Sequence, residues 1–301
     1  MPHLDLDRLA TVQLVPPTPF TPDGSYVLPE QLARFVQSRA EAGISVFLPA
    51  AGTGEFHSLS ADEVSACVEA TRQAVPAAVV IAPVGLGIGH AVALARRATD
   101  LGADALLIMP PIHPYLSDSG FRDYFDALAA TTPLPFLAYK KGPVPSDRLL
   151  LDLGRGGRLI GVKYAVNEMD AFARFAAQAG SHFGLYCGTA ERFAPYFLLA
   201  GATGYTSGAG NVCPRLTLAL HADLRAGRHA LAFDRLRQLR PLEDFRARDA
   251  DSFNITAIKA AVHLAGWDFG PPRPPQRHLT SAELLELQAL VKPMLAREQA
   301  V

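Results

Sequence analysis

The sequence contains little charge and little cysteine, and these shortages exclude several classes of protein. Only 19% of the 301 residues are charged, and 28 Lys and Arg nearly balance 29 Asp and Glu. A nucleic-acid-binding protein needs a basic surface, which this balance does not supply. The three cysteines are far apart and form no CxxC pair, so neither a disulfide framework nor a zinc knuckle is expected. These features favour a cytoplasmic protein whose partner is a small molecule.

Long uninterrupted apolar segments are also lacking. Two uncharged stretches, residues 74–95 and 193–214, are long enough to cross a bilayer, but prolines and glycines interrupt the first and glycines the second. The N-terminal MPHLDLDRLA has acidic residues where a signal peptide has a basic and then an apolar segment. We therefore expect no membrane association.

Eight short apolar runs alternate with longer segments of helical spacing. The runs are continuously apolar, which is typical of parallel strands buried on both faces. Several helical segments end at a glycine just before the next run, where the left-handed backbone of a helix terminus favours glycine. Eight such units predict a (β/α)8 barrel, with a doubly wound open sheet as the alternative. The runs are Val12 to Val15, Val46 to Pro49, Val79 to Val84, Ala105 to Met109, Pro135 to Tyr139, Leu159 to Lys163, Phe183 to Cys187 and Gly204 to Thr206.

The remaining residues read as further helices without a second core. We expect residues 1–226 to form the barrel and residues 227–301 to form a C-terminal helical extension packed on it. A Pro-rich linker, GPPRPPQ at residues 270–276, precedes the last helix. Ser60 with Glu63 has the pattern of a capping box, and Ser117 and Asn167 are predicted N-caps.

A lysine at the end of the sixth strand is the most informative candidate residue. The active site of such a barrel lies at the C-terminal ends of its strands. Lysine is rare here, at five residues, and only Lys163 directly ends an apolar run, LIGVKY. Partial desolvation there lowers the pKa of an amine and makes it a candidate Schiff-base nucleophile. The alternative is a lysine that extends to solvent or pairs with a carboxylate.

Two other strand ends carry polar groups. Tyr139 ends the fifth run, where a phenol can transfer protons if a neighbouring cation lowers its pKa, or can simply be a core aromatic. The AAGTGEF loop after the second run includes Gly52, Thr53 and Gly54, whose N–H groups and hydroxyl suit a carboxylate. Ser207 follows the eighth run. The nine histidines form no HxH or HExxH motif, so no metal is expected.

Together these segments resemble a known enzyme family. AAGTGEFHSLSADE, Tyr139, GVKYAVNEMDAF and GYTSGAGNVCP are similar to segments of the dihydrodipicolinate synthase/N-acetylneuraminate lyase superfamily, which are Schiff-base (β/α)8 enzymes. Within it, GTGEFHSLS most resembles the 5-dehydro-4-deoxyglucarate dehydratases. The resemblance implies Lys163 as the Schiff-base lysine, Tyr139 as the catalytic tyrosine and Thr53 as a ligand of the keto-acid carboxylate. It also implies no cofactor, a keto-acid substrate and a homo-oligomer, dimer or tetramer.

The chain also departs from this superfamily pattern. Gly52 stands in place of the first threonine and His113 in place of a relay tyrosine. An arginine is missing after Tyr139, where Lys140 or Lys141 is expected to bind a distal carboxylate as a point charge. The prediction is decarboxylating dehydration of 5-dehydro-4-deoxyglucarate to 2,5-dioxopentanoate. The alternatives are dihydrodipicolinate synthase, a 2-keto-3-deoxy sugar acid aldolase, or a non-catalytic barrel that binds keto acids.

Overall fold

A closed barrel of eight parallel strands forms the centre of the molecule. The computed structural model describes residues 4–300. Each strand pairs with its neighbours in chain order and β8 pairs with β1, which confirms the predicted barrel and excludes the open sheet. The strands are β1 Val12–Leu14, β2 Val46–Phe47, β3 Val79–Val84, β4 Ala105–Ile108, β5 Phe136–Lys140, β6 Leu159–Tyr164, β7 Gly184–Cys187 and β8 Gly204–Ser207.

Helices surround the barrel and continue beyond it. The first eight are α1 Pro29–Glu41, α2 Ala61–Ala74, α3 Ile88–Asp100, α4 Asp118–Ala129, α5 Asp147–Arg155, α6 Met169–Ala179, α7 Ala194–Leu199 and α8 Pro214–Arg225. The C-terminal extension contributes α9 His229–Arg246, the short turn α10 Arg248–Asp251, α11 Asn254–Leu264 and α12 Ser281–Glu298. The predicted helical extension is thus present, and α9 and α12 pack against α8. No helix within residues 4–300 is both long and apolar enough to cross a bilayer.

The helix ends follow the sequence signals with one exception. Ser60 and Glu63 form the predicted capping box at α2, and the Ser117 side chain accepts a hydrogen bond from Gly120 N–H at α4. Asn167 is not an N-cap: α6 begins two residues later, after Glu168. The Asn167 amide oxygen instead accepts a hydrogen bond from the Thr189 hydroxyl at 2.8 Å, which ties the loops after β6 and β7 together.

A buried ion pair joins the extension to the loop after β2. The Lys259 ammonium of α11 lies 2.7 Å from the Glu55 carboxylate, and both side chains are almost fully buried. The second Glu55 oxygen accepts a hydrogen bond from the backbone N–H of Arg273, in the Pro-rich linker. Arg273 also makes two hydrogen bonds to Glu63. A buried charge left without its partner is costly, so these contacts fix the extension relative to this loop.

Candidate active site

A cavity opens at the C-terminal ends of the strands. Its volume is about 550 Å³, within the range of small-molecule sites. The barrel contributes side chains from the loops after most strands, and the C-terminal extension supplies the rest of the wall. This is the end of the barrel where parallel strands of this topology present their functional groups.

Lys163 lies in this cavity as a buried amine. It is the fifth residue of β6, is 4% exposed, and lies opposite Tyr139 of β5 in the strand register. Burial, reinforced by the positive charges of Lys141 and Arg246, lowers the pKa of Lys163 to about 7. A large fraction of this amine is therefore neutral and nucleophilic at neutral pH, as a Schiff-base lysine requires.

Gly188, after β7, provides the room for the Lys163 side chain. A Cβ built on Gly188 would lie 3.1 Å from Lys163 Cγ and 3.0 Å from the Tyr164 carbonyl oxygen. A side chain at this position would therefore crowd Lys163 and the end of β6, which would have to shift by a few tenths of an ångström. The glycine leaves the lysine its place.

Tyr139 covers the amine with the face of its ring. Lys163 Nζ lies 3.9 Å from the ring centroid. Burial raises the pKa of Tyr139 to about 12, which is opposite to the lowering expected beside a cation. The physical reason is that burial disfavours the charged phenolate and outweighs the opposing positive charge of Arg246. The phenol is protonated at neutral pH and can act first as a proton donor.

The loop after β2 presents Gly52 and Thr53 to the cavity. Two hydrogen bonds fix the shape of this loop. The Glu55 N–H donates to the Gly52 carbonyl at 3.1 Å, and the Thr18 hydroxyl donates to the Gly54 carbonyl at 2.6 Å. Among residues 4–300, no hydrogen bond engages the N–H groups of Thr53 or Gly54. Free N–H groups beside a hydroxyl are the donors that a carboxylate needs.

The extension adds a second group of charged side chains to the wall. Arg246, at the end of α9, is 8% exposed and donates from Nη1 to Glu243 at 2.5 Å and from Nη2 to Asn254 at 2.5 Å. Asp249 to Asp251 follow with φ between 46° and 66°, a left-handed backbone that turns the chain over the cavity. The wall therefore includes Glu243, Arg246, Ala250, Asp251 and Asn254.

Comparison with known proteins places the chain in a family. The profile of the dihydrodipicolinate synthetase family matches residues 9–294. The chain belongs to the dihydrodipicolinate synthetase family. A curated relative from Streptomyces avermitilis, a probable 5-dehydro-4-deoxyglucarate dehydratase, is 34% identical over 92% of this chain and 84% of its own length. A similarly named protein of Saccharopolyspora erythraea is 33% identical over 99% and 98%. The crystal structure of dihydrodipicolinate synthase from Bacillus clausii superposes with a TM-score of 0.92 at 32% identity, covering 96% and 98%.

Membership of the dihydrodipicolinate synthetase family makes the protein a lyase of the (β/α)8 type, as the sequence resemblance implied. The structure brings most of the predicted site residues together around the cavity. These are Lys163, Tyr139, Thr53, Gly52 and Ser207. Ser207 is already engaged: its hydroxyl donates to Glu191 and accepts from Gly210 N–H at 2.8 Å. Gly54 does not line the cavity, because it is buried against the backbone of Ala50, where a Cβ would lie 2.7 Å from Ala50 Cα.

Lys140 does not line the cavity of this family member. Successive residues of a strand point to opposite faces, so the side chain next to Tyr139 is directed outward. Its ammonium donates to the Pro145 carbonyl at 2.8 Å and lies 3.4 Å from Asp147. Lys141, one residue further and exposed, lines the cavity instead. His113 is exposed and accepts a hydrogen bond from Tyr115 N–H.

Sequence reasoning missed the contribution of the extension. Arg246 is one of 23 arginines and stands in an ordinary helical segment, LEDFRAR, with no motif around it. The one available signal was Gly208 after β8. A Cβ there would overlap the Arg246 guanidinium, so this glycine leaves the space that the side chain from the extension occupies. Among residues 4–300, no three or more His, Cys, Asp or Glu are placed to bind a metal.

Proposed function

We propose that this protein catalyses the decarboxylating dehydration of 5-dehydro-4-deoxyglucarate to 2,5-dioxopentanoate through a Schiff base on Lys163. The observation that carries the proposal is the buried Lys163 amine, whose pKa is lowered to about 7, beneath the Tyr139 ring in the cavity. The choice among keto acids is supported by the names of the curated relatives, 5-dehydro-4-deoxyglucarate dehydratases at 33% to 34% identity.

The first step is formation of the imine. The neutral Lys163 amine attacks the ketone next to the carboxylate, and water leaves from the resulting carbinolamine. Tyr139, protonated at neutral pH, donates the proton that this leaving water needs. The hydroxyl and the free N–H group of Thr53 hold the carboxylate, which orients the ketone towards the amine.

The second step uses the protonated imine as an electron sink. A proton leaves the CH2 group beside the imine, and the hydroxyl on the following carbon departs as water. Loss of CO2 from the far carboxylate sends the electron pair of the broken C–C bond into the conjugated iminium. Protonation of the resulting enamine and tautomerisation of the enol form the aldehyde, and hydrolysis of the imine then gives 2,5-dioxopentanoate and free Lys163. One water and one CO2 are released per turnover. Because the imine accepts the electrons, the proposed reaction needs no metal or organic cofactor.

Trapping with borohydride tests the Schiff base directly. We expect reduction in the presence of the keto acid or pyruvate to leave a stable adduct on the peptide that contains Lys163, identified by mass spectrometry. The Lys163→Arg variant, which keeps the positive charge, is the matched control and should give no adduct. Absence of an adduct in the unaltered enzyme would refute the proposal.

Product analysis separates the proposed reaction from its alternatives. The dehydratase releases CO2, an aldolase releases pyruvate and a synthase consumes it. The solved structure at 32% identity is a dihydrodipicolinate synthase, which makes the synthase the second candidate. A panel of keto sugar acids assayed for CO2 and for pyruvate identifies which reaction occurs.

We also propose that the protein works in the cytoplasm as a homo-oligomer. Support comes from three free, buried cysteines and from large apolar side chains on the surface, including Tyr115 at 86% exposed and Ile112 at 68%. Light scattering should give a mass that is a multiple of 32.2 kDa. A monomer at micromolar concentration would refute the oligomer.

A further inference from the structure

Arg246 is a buried cation in the cavity to which the proposed mechanism assigns no contact with the substrate. We propose that Arg246 binds the distal carboxylate of the substrate and makes the enzyme selective for keto diacids over keto monoacids of the same length. This inference rests on the proposed function, because it assigns the far end of a substrate whose near end is held at Lys163.

The structure holds the Arg246 guanidinium in one orientation. Glu243 and Asn254 each accept one of its N–H groups at 2.5 Å. The guanidinium lies against Gly208, at the end of β8, where any side chain would overlap it. An arginine fixed by its neighbours loses little side-chain freedom when it binds an anion, so more of the interaction appears as affinity.

Arg246 retains hydrogen-bonding capacity after these contacts. A guanidinium has five N–H donors, and Glu243 and Asn254 use two of them. The Nε atom finds no partner within residues 4–300. A carboxylate in the cavity can therefore accept from Arg246 without displacing the side chains that hold it.

The charge on the Glu243 partner favours the same interpretation. Burial raises the pKa of Glu243 to about 7, with the nearby Glu191 and Asp244 carboxylates acting in the same direction and Arg246 opposing them. Near neutral pH a proton is available to Glu243. Uptake of that proton leaves the guanidinium with excess positive charge for an incoming carboxylate.

The other cations around the cavity are less suited to this role. Lys141 is exposed, so its ammonium is free to move and well hydrated. Arg192 lies 3.3 Å from Asp244 and its side chain is 35% exposed. Lys163 forms the imine. Arg246 alone combines burial, fixed orientation and free donors among the described cations that line the cavity.

Two six-carbon keto acids test the proposal in the intact enzyme. 2-Oxoadipate carries a second carboxylate at its far end, and 2-oxohexanoate carries a methyl group there. Their dissociation constants are measured by competition against pyruvate for the borohydride-trapped adduct on Lys163. A charge-assisted hydrogen bond predicts that 2-oxoadipate binds roughly ten- to a hundredfold more tightly. Equal affinity for the two acids would overturn the proposal.

Three variants locate the preference. Arg246→Gln removes the charge, and Gly208→Ala displaces the guanidinium while leaving Arg246 in the sequence; both should bring the two affinities to within about twofold. Arg240→Gln, an exposed residue of the same helix, is the control and should retain the preference. A preference that survives in Arg246→Gln would overturn the assignment.

The pyruvate adduct distinguishes the two proposals. If unaltered enzyme forms no adduct with any keto acid, the proposed function fails. If adducts form but 2-oxoadipate binds no more tightly than 2-oxohexanoate, the proposed function stands and the role given to Arg246 is wrong. The melting curve and the pyruvate adduct show whether Arg246→Gln folds. If it does not, the role of Arg246 is decided by the affinities for 2-oxoadipate and 2-oxohexanoate in the unaltered enzyme and in Gly208→Ala.

Discussion

The lowered pKa of Lys163 predicts a specific pH profile for imine formation. An ordinary lysine has a pKa near 10.5, whereas that of Lys163 is about 7 because the amine is buried and lies near Lys141 and Arg246. At pH 7 about half of the Lys163 amine is neutral, which is roughly a thousandfold or more above an unperturbed lysine. The rate of imine formation should rise about tenfold per pH unit below pH 6 and level off above pH 8.

The assay is the initial rate of adduct formation with pyruvate and cyanoborohydride between pH 5.5 and 9.5, followed by intact mass. Lysine with a blocked α-amino group, assayed in solution under the same conditions, corrects for the pH dependence of the reductant. Its rate of adduct formation should rise through the whole pH range. Lys141→Met removes one of the positive charges and should shift the enzyme profile to higher pH by less than about one unit. A profile that still climbs tenfold per unit above pH 8 describes a solvated amine and would refute the burial argument.

Three further predictions concern stability and turnover. Because the pKa of Lys163 is lower in the folded than in the unfolded state, the free energy of unfolding rises with pH between about 7 and 10.5. Lys163→Met should therefore raise the free energy of unfolding in urea at pH 7 by about 1–3 kcal/mol. A variant that is less stable than the unaltered protein contradicts this. Tyr139→Phe should lower kcat about 100- to 10,000-fold while the protein unfolds at the same urea concentration, and near-normal kcat would exclude a proton-transfer role. Glu55→Gln leaves the buried Lys259 charge without its partner and should lower the free energy of unfolding in urea by about 3–5 kcal/mol. The double variant Glu55→Gln, Lys259→Met should recover most of this loss.

The barrel was predictable because each strand carries its own signal. The runs at Val79 to Val84 and Leu159 to Lys163 are apolar without alternation, and the structure places β3 and β6 there to within one residue. Glycines before the next strand, such as Gly43 and Gly102, indeed have positive φ. Local backbone preference and burial on both faces were enough to fix these elements.

The site was predictable only where the chemistry sits on a strand. Lys163 and Tyr139 are adjacent in the register of β5 and β6, so knowing the strands places them together. Lys140 illustrates the limit, because an offset of one residue turns its side chain to the other face of β5. The prediction did not decide whether Lys140 or Lys141 binds the distal carboxylate. Arg246 reaches the cavity through the packing of α9, a long-range contact that no local pattern encodes.

The wall formed by the C-terminal extension has a consequence for protein synthesis. Lys163 and its barrel leave the ribosome before Glu243 and Arg246, so the cavity is completed only by the last quarter of the chain. A barrel still awaiting these helices is open to water, which returns the amine towards the charged state of an ordinary lysine. In the proposed mechanism, a nascent or truncated chain would then react more slowly with keto acids, and full reactivity would require the extension.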